Sequence, residues 1–334
     1  MDVYRLLKLN RRIKNHRIKF LAIWLFHIFN RRYLAVNLDP VLACNFRCKM
    51  CYFTDKDFVK KMKGQFKVED LNLVAKAIFK RALKLQIGCG TEPTLYKNLP
   101  KIVRLGKAYK VPYISLTTNA NLLNEESIKE LVIAGLNEFT ISLHGVTKAS
   151  YEDFMTNGSY EKFHEVFRVF MGLKKTYNFK VRINYTFNKD NFYELKDLFD
   201  HFSGESFDIL QIRPIRKIGN TEYNDFNLES IRKDYTGLIH NIRQQCFNNK
   251  ITLLASNEIP RKNKINNSSF IYDYTFCYVS PTSFWREGFN WREESFDVFA
   301  KRIGWGKELF GSIFKSKEEL ISRSNRLNYE IDLN

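Results

Sequence analysis

Cysteine is scarce in this chain, six among 334 residues, far too few to staple a fold with disulfides. Acidic residues are also few. Asp and Glu total 36 against 54 Lys and Arg, a net charge of +18. That excess says nothing about fold, but it favours acidic partners such as nucleic acid, anionic lipid or an acidic redox protein. No apolar run reaches the roughly 20 residues of a membrane span. The longest candidate, residues 20–29 (FLAIWLFHIF), is followed by Asn30, Arg31 and Arg32 rather than by a small-residue cleavage site, which argues against a signal peptide. Neither Gly-x-Gly-x-x-Gly after the first strand nor Gly-x-x-x-x-Gly-Lys-Ser/Thr occurs, which disfavours dinucleotide-binding and P-loop folds. No internal repeat is present.

Apolar residues make up 44% of the chain and aromatic residues 15%, enough for a large core, so wholesale disorder is excluded. The length suits one large α/β domain or about two ordinary ones. Before Asp39 stand nine cations (Arg5, Lys8, Arg11, Arg12, Lys14, Arg17, Lys19, Arg31, Arg32) and one acid, Asp2. This basic, aromatic-rich segment, residues 1–33, has two readings. In one, a helix packs Trp24 and its neighbours onto the domain and leaves its cations in water. In the other it lies on a membrane surface.

From residue 34 to about 214, short β-branched or aromatic runs alternate with amphipathic stretches. Strands are expected at 34–38, 83–88, 113–118, 138–143, 181–187 and 209–214. Helical patterns lie between them. One places Val68, Leu71, Val74, Ala75 and Ile78 on one face, one places Ile128, Leu131 and Val132 after an Asn124-x-x-Ser127 start, and others cover 160–177 and 191–202. Six strand–helix alternations imply parallel strands with crossover helices. Further helix is expected over 228–248, then a short apolar run at 251–255 and an exposed polar loop at 257–269. Three of the four tryptophans, Trp285, Trp291 and Trp305, lie in the tail.

Directly after the first expected strand comes Cys44-x-x-x-Cys48-x-x-Cys51. Three thiolates so spaced can take three irons of a cubane cluster and leave the fourth iron open to a ligand. A zinc site would want a fourth ligand, and the next cysteine is Cys89. A disulfide would leave one thiol over. Three unrelated buried cysteines are the remaining alternative.

The triad, at this place in the chain, resembles the signature of the radical S-adenosylmethionine (radical SAM) superfamily, and further motifs follow in order, one per strand end. Met50 stands where that superfamily usually has an aromatic residue. Its thioether, with Tyr52 and Phe53 just beyond, can still pack against an adenine ring. Gly88-Cys89-Gly90-Thr91-Glu92-Pro93 resembles Gly-Gly-Glu-Pro, with Thr91 in place of the second Gly. The resemblance assigns Gly90, Glu92 and Pro93 to the methionine amino group. Thr118-Asn119-Ala120 resembles a Thr-Asn-Gly that lies near the ribose and cluster. Ser142-Leu143-His144-Gly145 resembles Ser-Leu-Asp-Gly, which places Ser142 on the cofactor's polar groups and leaves the role of His144 open. Asn184 and Asn188 flank a strand end where the superfamily often places an Asn near the ribose. Arg213, opening Arg-Pro-Ile-Arg-x-x-Gly, is the expected partner of the methionine carboxylate, which a guanidinium grips in a bidentate fork.

The resemblance implies an α/β fold, a partial (β/α)6 TIM-like barrel over 34–220, preceded by the helical segment 1–33. An α+β extension would cover 221–334. Cys277 and the turn Phe284-Trp-Arg-Glu-Gly288 resemble the start of a SPASM or Twitch extension. Only Cys246 and Cys277 remain outside the barrel motifs, however, so a cluster-free, degenerate version with both cysteines buried is expected. The implied chemistry is that of an enzyme. A 4Fe–4S cluster on Cys44, Cys48 and Cys51 would cleave S-adenosylmethionine reductively, and the resulting 5′-deoxyadenosyl radical would abstract hydrogen from a peptide, glycan or lipid-linked substrate. RNA modification and a non-catalytic barrel-fold binding protein are the alternatives. Expected partners are an acidic electron donor such as flavodoxin or ferredoxin and, through residues 1–33, a membrane surface. Nucleic acid fits less well, because the charge is dispersed. The expected location is cytoplasmic, peripheral on the inner membrane face in the membrane reading.

Overall fold

The computed structural model describes residue 9 and residues 12–202, 207–217, 219–259 and 271–321. The start of the basic segment (residues 1–8, 10 and 11), residues 260–269 of the polar loop and the tail beyond 321 lie outside the described residues.

Eight strands form one parallel sheet: β1 Leu34–Leu38, β2 Ala82–Ile87, β3 Tyr113–Thr118, β4 Glu138–Leu143, β5 Lys180–Phe187, β6 Ile209–Pro214, β7 Thr252–Leu254 and β8 Phe276–Val279. Their order is β7-β6-β5-β4-β3-β2-β1-β8. The order runs without reversal from β6 to β1, and among the described residues the edge strands β7 and β8 do not pair with each other. The result is an open, partial barrel. The six expected strands are present within a residue of their expected bounds. The extension contributes the two edge strands: β7 pairs with β6, and β8 joins β1 with Cys277 opposite Val36 and Tyr278 opposite Asn37.

The outward face of the sheet is apolar and closed by helices. Val36, Leu85, Ile114, Leu116, Phe139, Val181, Ile183 and Leu210 are fully buried. Helix Val68–Ile78 sets Leu71, Val74, Ala75 and Ile78 against this face. A side chain at Gly106 of helix Leu99–Ala108 would strike Ile114 at 2.7 Å and crowd Leu85 at 3.2 Å, so the glycine lets that helix lie close on the sheet. Helix Glu125–Ala134 starts on a reciprocal Asn124–Ser127 capping box and ends at Gly135, whose φ of 107° is left-handed, as its start and stop residues require.

Two expected helices are shorter than their patterns. The helix from Tyr160 ends at Leu173, where a turn links Thr176 back to the Leu173 carbonyl. Residues 191–202 open with a 3₁₀ turn, Phe192–Asp197, and continue as a single α turn, Leu198–His201. Phe192, Leu195 and Leu198 bury at strict three-residue spacing, the period of the tighter helix.

Helix His16–Ile28 packs one face on the domain. Phe20 meets Tyr274 edge to face at 5.2 Å, and Trp24 lies 5.0 Å from Phe310. Arg81, 3% exposed, ties the end of this helix down: it donates to Asp297, to the His27 and Arg31 carbonyls and to Asn30. No described helix is long and apolar enough to cross a membrane.

Candidate active site at the strand ends

Parallel strands deliver their C-terminal ends to one rim of a barrel, and that is where such folds place their chemistry. Each motif singled out in the sequence lies on this rim. The cysteine loop leaves β1 at Asp39, a fully buried acid. Asp39 accepts from the Cys89 amide at 2.6 Å, the Gly90 amide at 3.0 Å and the Tyr278 hydroxyl at 2.9 Å, so it joins the ends of β1, β2 and β8. Burial holds its carboxyl above the usual range, and those donors pull it back. Sequence reasoning missed Asp39, although an acid directly behind an apolar strand was its signal. It also missed Tyr278, because nothing local says that β8 will lie beside β1.

The loop itself is held on three sides. Arg47 donates to the Cys44 and Phe46 carbonyls, at 2.8 and 2.7 Å. The Arg47 and Lys49 amides bond to Thr156 and Phe154, and the Glu92 amide bonds to the Ala43 carbonyl. Cys44, Cys48 and Cys51 are half-buried and form no disulfide. Burial pushes the Cys44 thiol up to about 12 and raises Cys48 and Cys51 as well. As bare thiols they stay protonated at neutral pH; a bound metal is what deprotonates a thiol so placed.

Among the described residues no three Cys, His, Asp or Glu side chains enclose a single ion. A cubane makes no such demand, since each thiolate takes a different corner. The donor set, three thiols and no fourth ligand, fits a 4Fe–4S cluster with one open iron.

Glu92 is the hub of the neighbouring loop. Its Oε1 accepts from the Thr94 amide (3.2 Å), the Thr94 hydroxyl (2.6 Å) and the Thr118 hydroxyl (2.7 Å), and its Oε2 accepts from the Asn119 amide (2.8 Å). Asn119 in turn donates from Nδ2 to Asn45 in the cysteine loop at 2.8 Å. Three expected site residues, Glu92, Thr118 and Asn119, are therefore bonded to one another. Pro93 opens the 3₁₀ turn Pro93–Leu95 that Glu92 caps. Tyr52 donates its hydroxyl to the Gly90 carbonyl, and a Cβ on Gly90 would sit 2.3 Å from that oxygen. Gly88, at φ 81°, would strike the Thr117 carbonyl at 2.3 Å. Both glycines are thus required by close approach.

Met50 lies apart from this network, buried with Phe154 and Ile215. Ser142 stands on the inner face of β4, opposite Asn184 of β5. Asn188 folds into the turn after β5, where Oδ1 accepts from the Asp190 and Asn191 amides. Arg213 donates Nε to Thr186 at 3.2 Å while its side chain stays open to solvent. His144 faces the charge of Arg213; burial and that charge hold it down to about 3, so it is neutral.

Four buried polar atoms on or beside the inner faces of β3, β4 and β5 have no protein partner: Ser115 Oγ, His144 Nδ1, Asn184 Oδ1 and Asn188 Nδ2. Buried groups of this kind are normally satisfied, so the interior has unmet hydrogen-bonding capacity both near its floor, at Ser115, and toward the rim, at His144, Asn184 and Asn188. Ser142, Asn184, Asn188 and Arg213 fit S-adenosylmethionine in chemical type.

Residues 39–201 match the model of the Radical SAM superfamily. The chain is similar to a probable GTP 3′,8-cyclase of Metallosphaera sedula, 28% identical over 228 residues that cover 66% of this chain and 68% of that protein. A probable GTP 3′,8-cyclase of Saccharolobus solfataricus is 27% identical over 205 residues, covering 59% and 63%. The chain thus spans about two thirds of the length of the curated relatives it matches. Among solved structures it resembles SuiB of Streptococcus suis bound to its precursor peptide SuiA, with a TM-score of 0.64 and 15% identity over 94% of this chain and 73% of that one. It also resembles anSMEcpe with bound AdoMet and a peptide, with a TM-score of 0.51 and 19% identity over 66% and 63%. At such identities these structures speak for the fold alone. Through residues 39–201, with the thiol triad at the first strand end, the chain belongs to the radical SAM superfamily, enzymes that use a 4Fe–4S cluster and S-adenosylmethionine.

Proposed function

We propose that this enzyme abstracts hydrogen from a polar, hydrogen-bonding substrate, a sugar or nucleotide moiety, admitted to the lumen of the open barrel. When bound, the cluster and S-adenosylmethionine supply a 5′-deoxyadenosyl radical by reductive cleavage of the sulfonium. The chain's own residues hold and shield that chemistry. Cys44, Cys48 and Cys51 would carry the cluster. The Glu92–Thr118–Asn119 network fixes the loops on which the cofactor would rest, and Arg213 offers a guanidinium to its carboxylate. Tyr52 and Phe53, their rings tilted and 5.2 Å apart, would help to wall the cysteine loop from water.

One observation carries the substrate reading. The inner face of the sheet is largely polar: Lys84, Gln86, Ser115, Thr140, Arg182, Asn184 and Gln211 line it, with Ala35, Ile209 and Phe276 among them. Ser115 Oγ and Asn184 Oδ1 remain unsatisfied there. An apolar substrate would leave those groups desolvated and unpaired. A glycan, alone or lipid-linked, suits such a lumen. The likeness to GTP cyclases supports a nucleotide in the same role, and the precursor peptide of SuiB supports a peptide less well. The electron is expected from an acidic flavodoxin or ferredoxin, given the charge of +18, and free thiols with an oxygen-sensitive cluster suit a reducing, cytoplasmic setting.

The test is anaerobic reconstitution with iron and sulfide, followed by an assay for 5′-deoxyadenosine with dithionite and S-adenosylmethionine. The wild type should become brown and release 5′-deoxyadenosine, and Cys48→Ala should do neither. Turnover should rise with sugar nucleotides or nucleoside triphosphates and not with apolar lipids. A colourless, zinc-bearing protein under these conditions would overturn the reading.

A further inference from the structure

A helix on the surface of a globular protein normally has one apolar face, turned inward. Helix His16–Ile28 has two. Phe20 and Ile23 are buried on the domain, while Ile18 (52% exposed), Leu21 (42%), Leu25 (36%) and Ile28 (43%) point to solvent. Their spacing, three, four and three residues, makes them one continuous stripe along the outer side.

The stripe is not isolated. Helix Trp305–Ser312 lies antiparallel alongside: His16 bonds to the Lys315 carbonyl at 3.1 Å, Trp24 meets Phe310, and Gly306 faces His27. Phe310 (44% exposed) and Phe314 (68%) extend the apolar surface beyond Trp24. With Phe26 and Phe29, eight of the sixteen large apolar side chains exposed among the described residues fall on this helix pair or within two residues of its ends. A contiguous apolar patch of that kind marks an interaction surface.

Charge decides what covers it. Arg12, Lys14 and Arg17 stand exposed at one end of the stripe and Arg31 at the other, and no Asp or Glu occurs between residues 12 and 33. A second copy of the chain seated on the stripe would bring these cations against their own equivalents, which repel. A bilayer with anionic headgroups suits both features at once, since the apolar stripe enters the acyl boundary and the cations meet the headgroups.

We propose that the outer face of helices His16–Ile28 and Trp305–Ser312 is a docking surface for an anionic membrane, on which the enzyme lies without crossing it. The inference is independent of the substrate reading. It is tested with the full-length, reconstituted protein and vesicles of phosphatidylcholine with or without phosphatidylglycerol, in flotation assays. The wild type should float with the anionic vesicles and not with the neutral ones, and should be released at about 0.5 M salt, where screening is short-ranged. Leu21→Glu/Leu25→Glu should lower partitioning about tenfold or more. Arg17→Gln/Arg31→Gln should weaken it and flatten its salt dependence. Phe247→Ser, which alters an exposed side chain on another helix, should bind as wild type. Cluster content and 5′-deoxyadenosine release without vesicles should be unchanged in the leucine double variant, which separates loss of docking from loss of fold. Equal flotation of wild type and that variant overturns the proposal, and so does a vesicle-independent dimer in sedimentation that the variant abolishes.

Discussion

Replacing Glu92 with glutamine should destabilise the cofactor-free protein by about 2 kcal/mol. The carboxylate is 2% exposed and accepts four hydrogen bonds. The hydroxyls of Thr94 and Thr118 can swivel to new partners, but the two backbone amides cannot, and they lie on different oxygens: Thr94 on Oε1, Asn119 on Oε2. Glutamine has one oxygen. Whichever way its amide is turned, the NH₂ group confronts a backbone N–H. Losing a bond to a charged acceptor costs about 1.5–3 kcal/mol, partly offset because a neutral amide relieves the desolvation of a buried carboxylate. That desolvation raises the folded pKa of Glu92 above its ordinary 4.5. A raised acid lowers stability at neutral pH and returns it as pH falls through the folded value toward 4.5. Glutamine does not titrate, so the gap between the two proteins should widen on mild acidification. Urea unfolding of the anaerobic apo-protein, followed by tryptophan fluorescence at neutral and mildly acidic pH, measures both effects. If the variant is as stable as wild type and only its affinity for S-adenosylmethionine falls, the carboxylate is a ligand group and not the pin described above.

Arg81→Met should cost about 3 kcal/mol in the same assay, because it removes the one buried cation that ties Asp297, Asn30 and the Arg31 carbonyl together and leaves Asp297 only the exposed Lys80 at 3.4 Å. Asp297→Asn should cost less, since the other acceptors stay in place. Gly90→Ala should cost about 1–2 kcal/mol by forcing the Tyr52 hydroxyl aside, and in a double-mutant cycle Tyr52→Phe should absorb most of that loss. His144, held down to about 3 by burial and Arg213, resists protonation in the folded state. Its penalty is absent above pH 6.5 and grows as pH falls toward 3. Between pH 6.5 and 4.5, His144→Asn should therefore gain up to about 2–3 kcal/mol relative to wild type.

What could be read locally was read well, and what depended on distant partners was not. The strands from β1 to β6 carry β-branched and aromatic runs between polar breaks, and these signals lie within a few residues of each strand. β8, by contrast, is four residues, Phe276–Val279, whose only reason to be a strand is the open edge of β1 some 240 positions earlier. The motif residues Gly90, Glu92, Thr118 and Asn119 were legible as a set, yet the bonding of Glu92 to Thr118 and Asn119 was not, because it joins two strand ends 26 and 27 positions apart. The departures from the family pattern gain physical content from the backbone. Ala120 stands where the resemblance expects Gly, and it adopts φ 67°, a left-handed conformation that costs a residue with a Cβ about 1–2 kcal/mol. Its amide donates to Thr118 Oγ1 at 2.9 Å, one of the bonds that hold it there.

The least anticipated feature was written plainly in the strands. Parallel strands covered on both faces read as nearly unbroken apolar runs, and a closed barrel fills its interior with branched side chains. Here β2 reads Leu83-Lys84-Leu85-Gln86-Ile87 and β4 reads Phe139-Thr140-Ile141-Ser142-Leu143, a strict alternation that in a parallel sheet covered outside by helices points to a polar interior. The floor of that interior is closed by a paired acid: Glu138, fully buried, binds Arg182 at 2.7 Å and Thr140 at 2.9 Å. Among the described residues Lys84 has no such ion pair. It donates to Gln86 at 3.0 Å, and burial with the nearby Arg182 lowers it to about 8. A packed apolar core would be the cheaper way to hold eight strands together, since each unsatisfied buried polar group costs about 1–3 kcal/mol. A lumen that keeps Ser115, Asn184 and a loosely held lysine facing inward is therefore better explained by what it must bind than by the stability of the sheet.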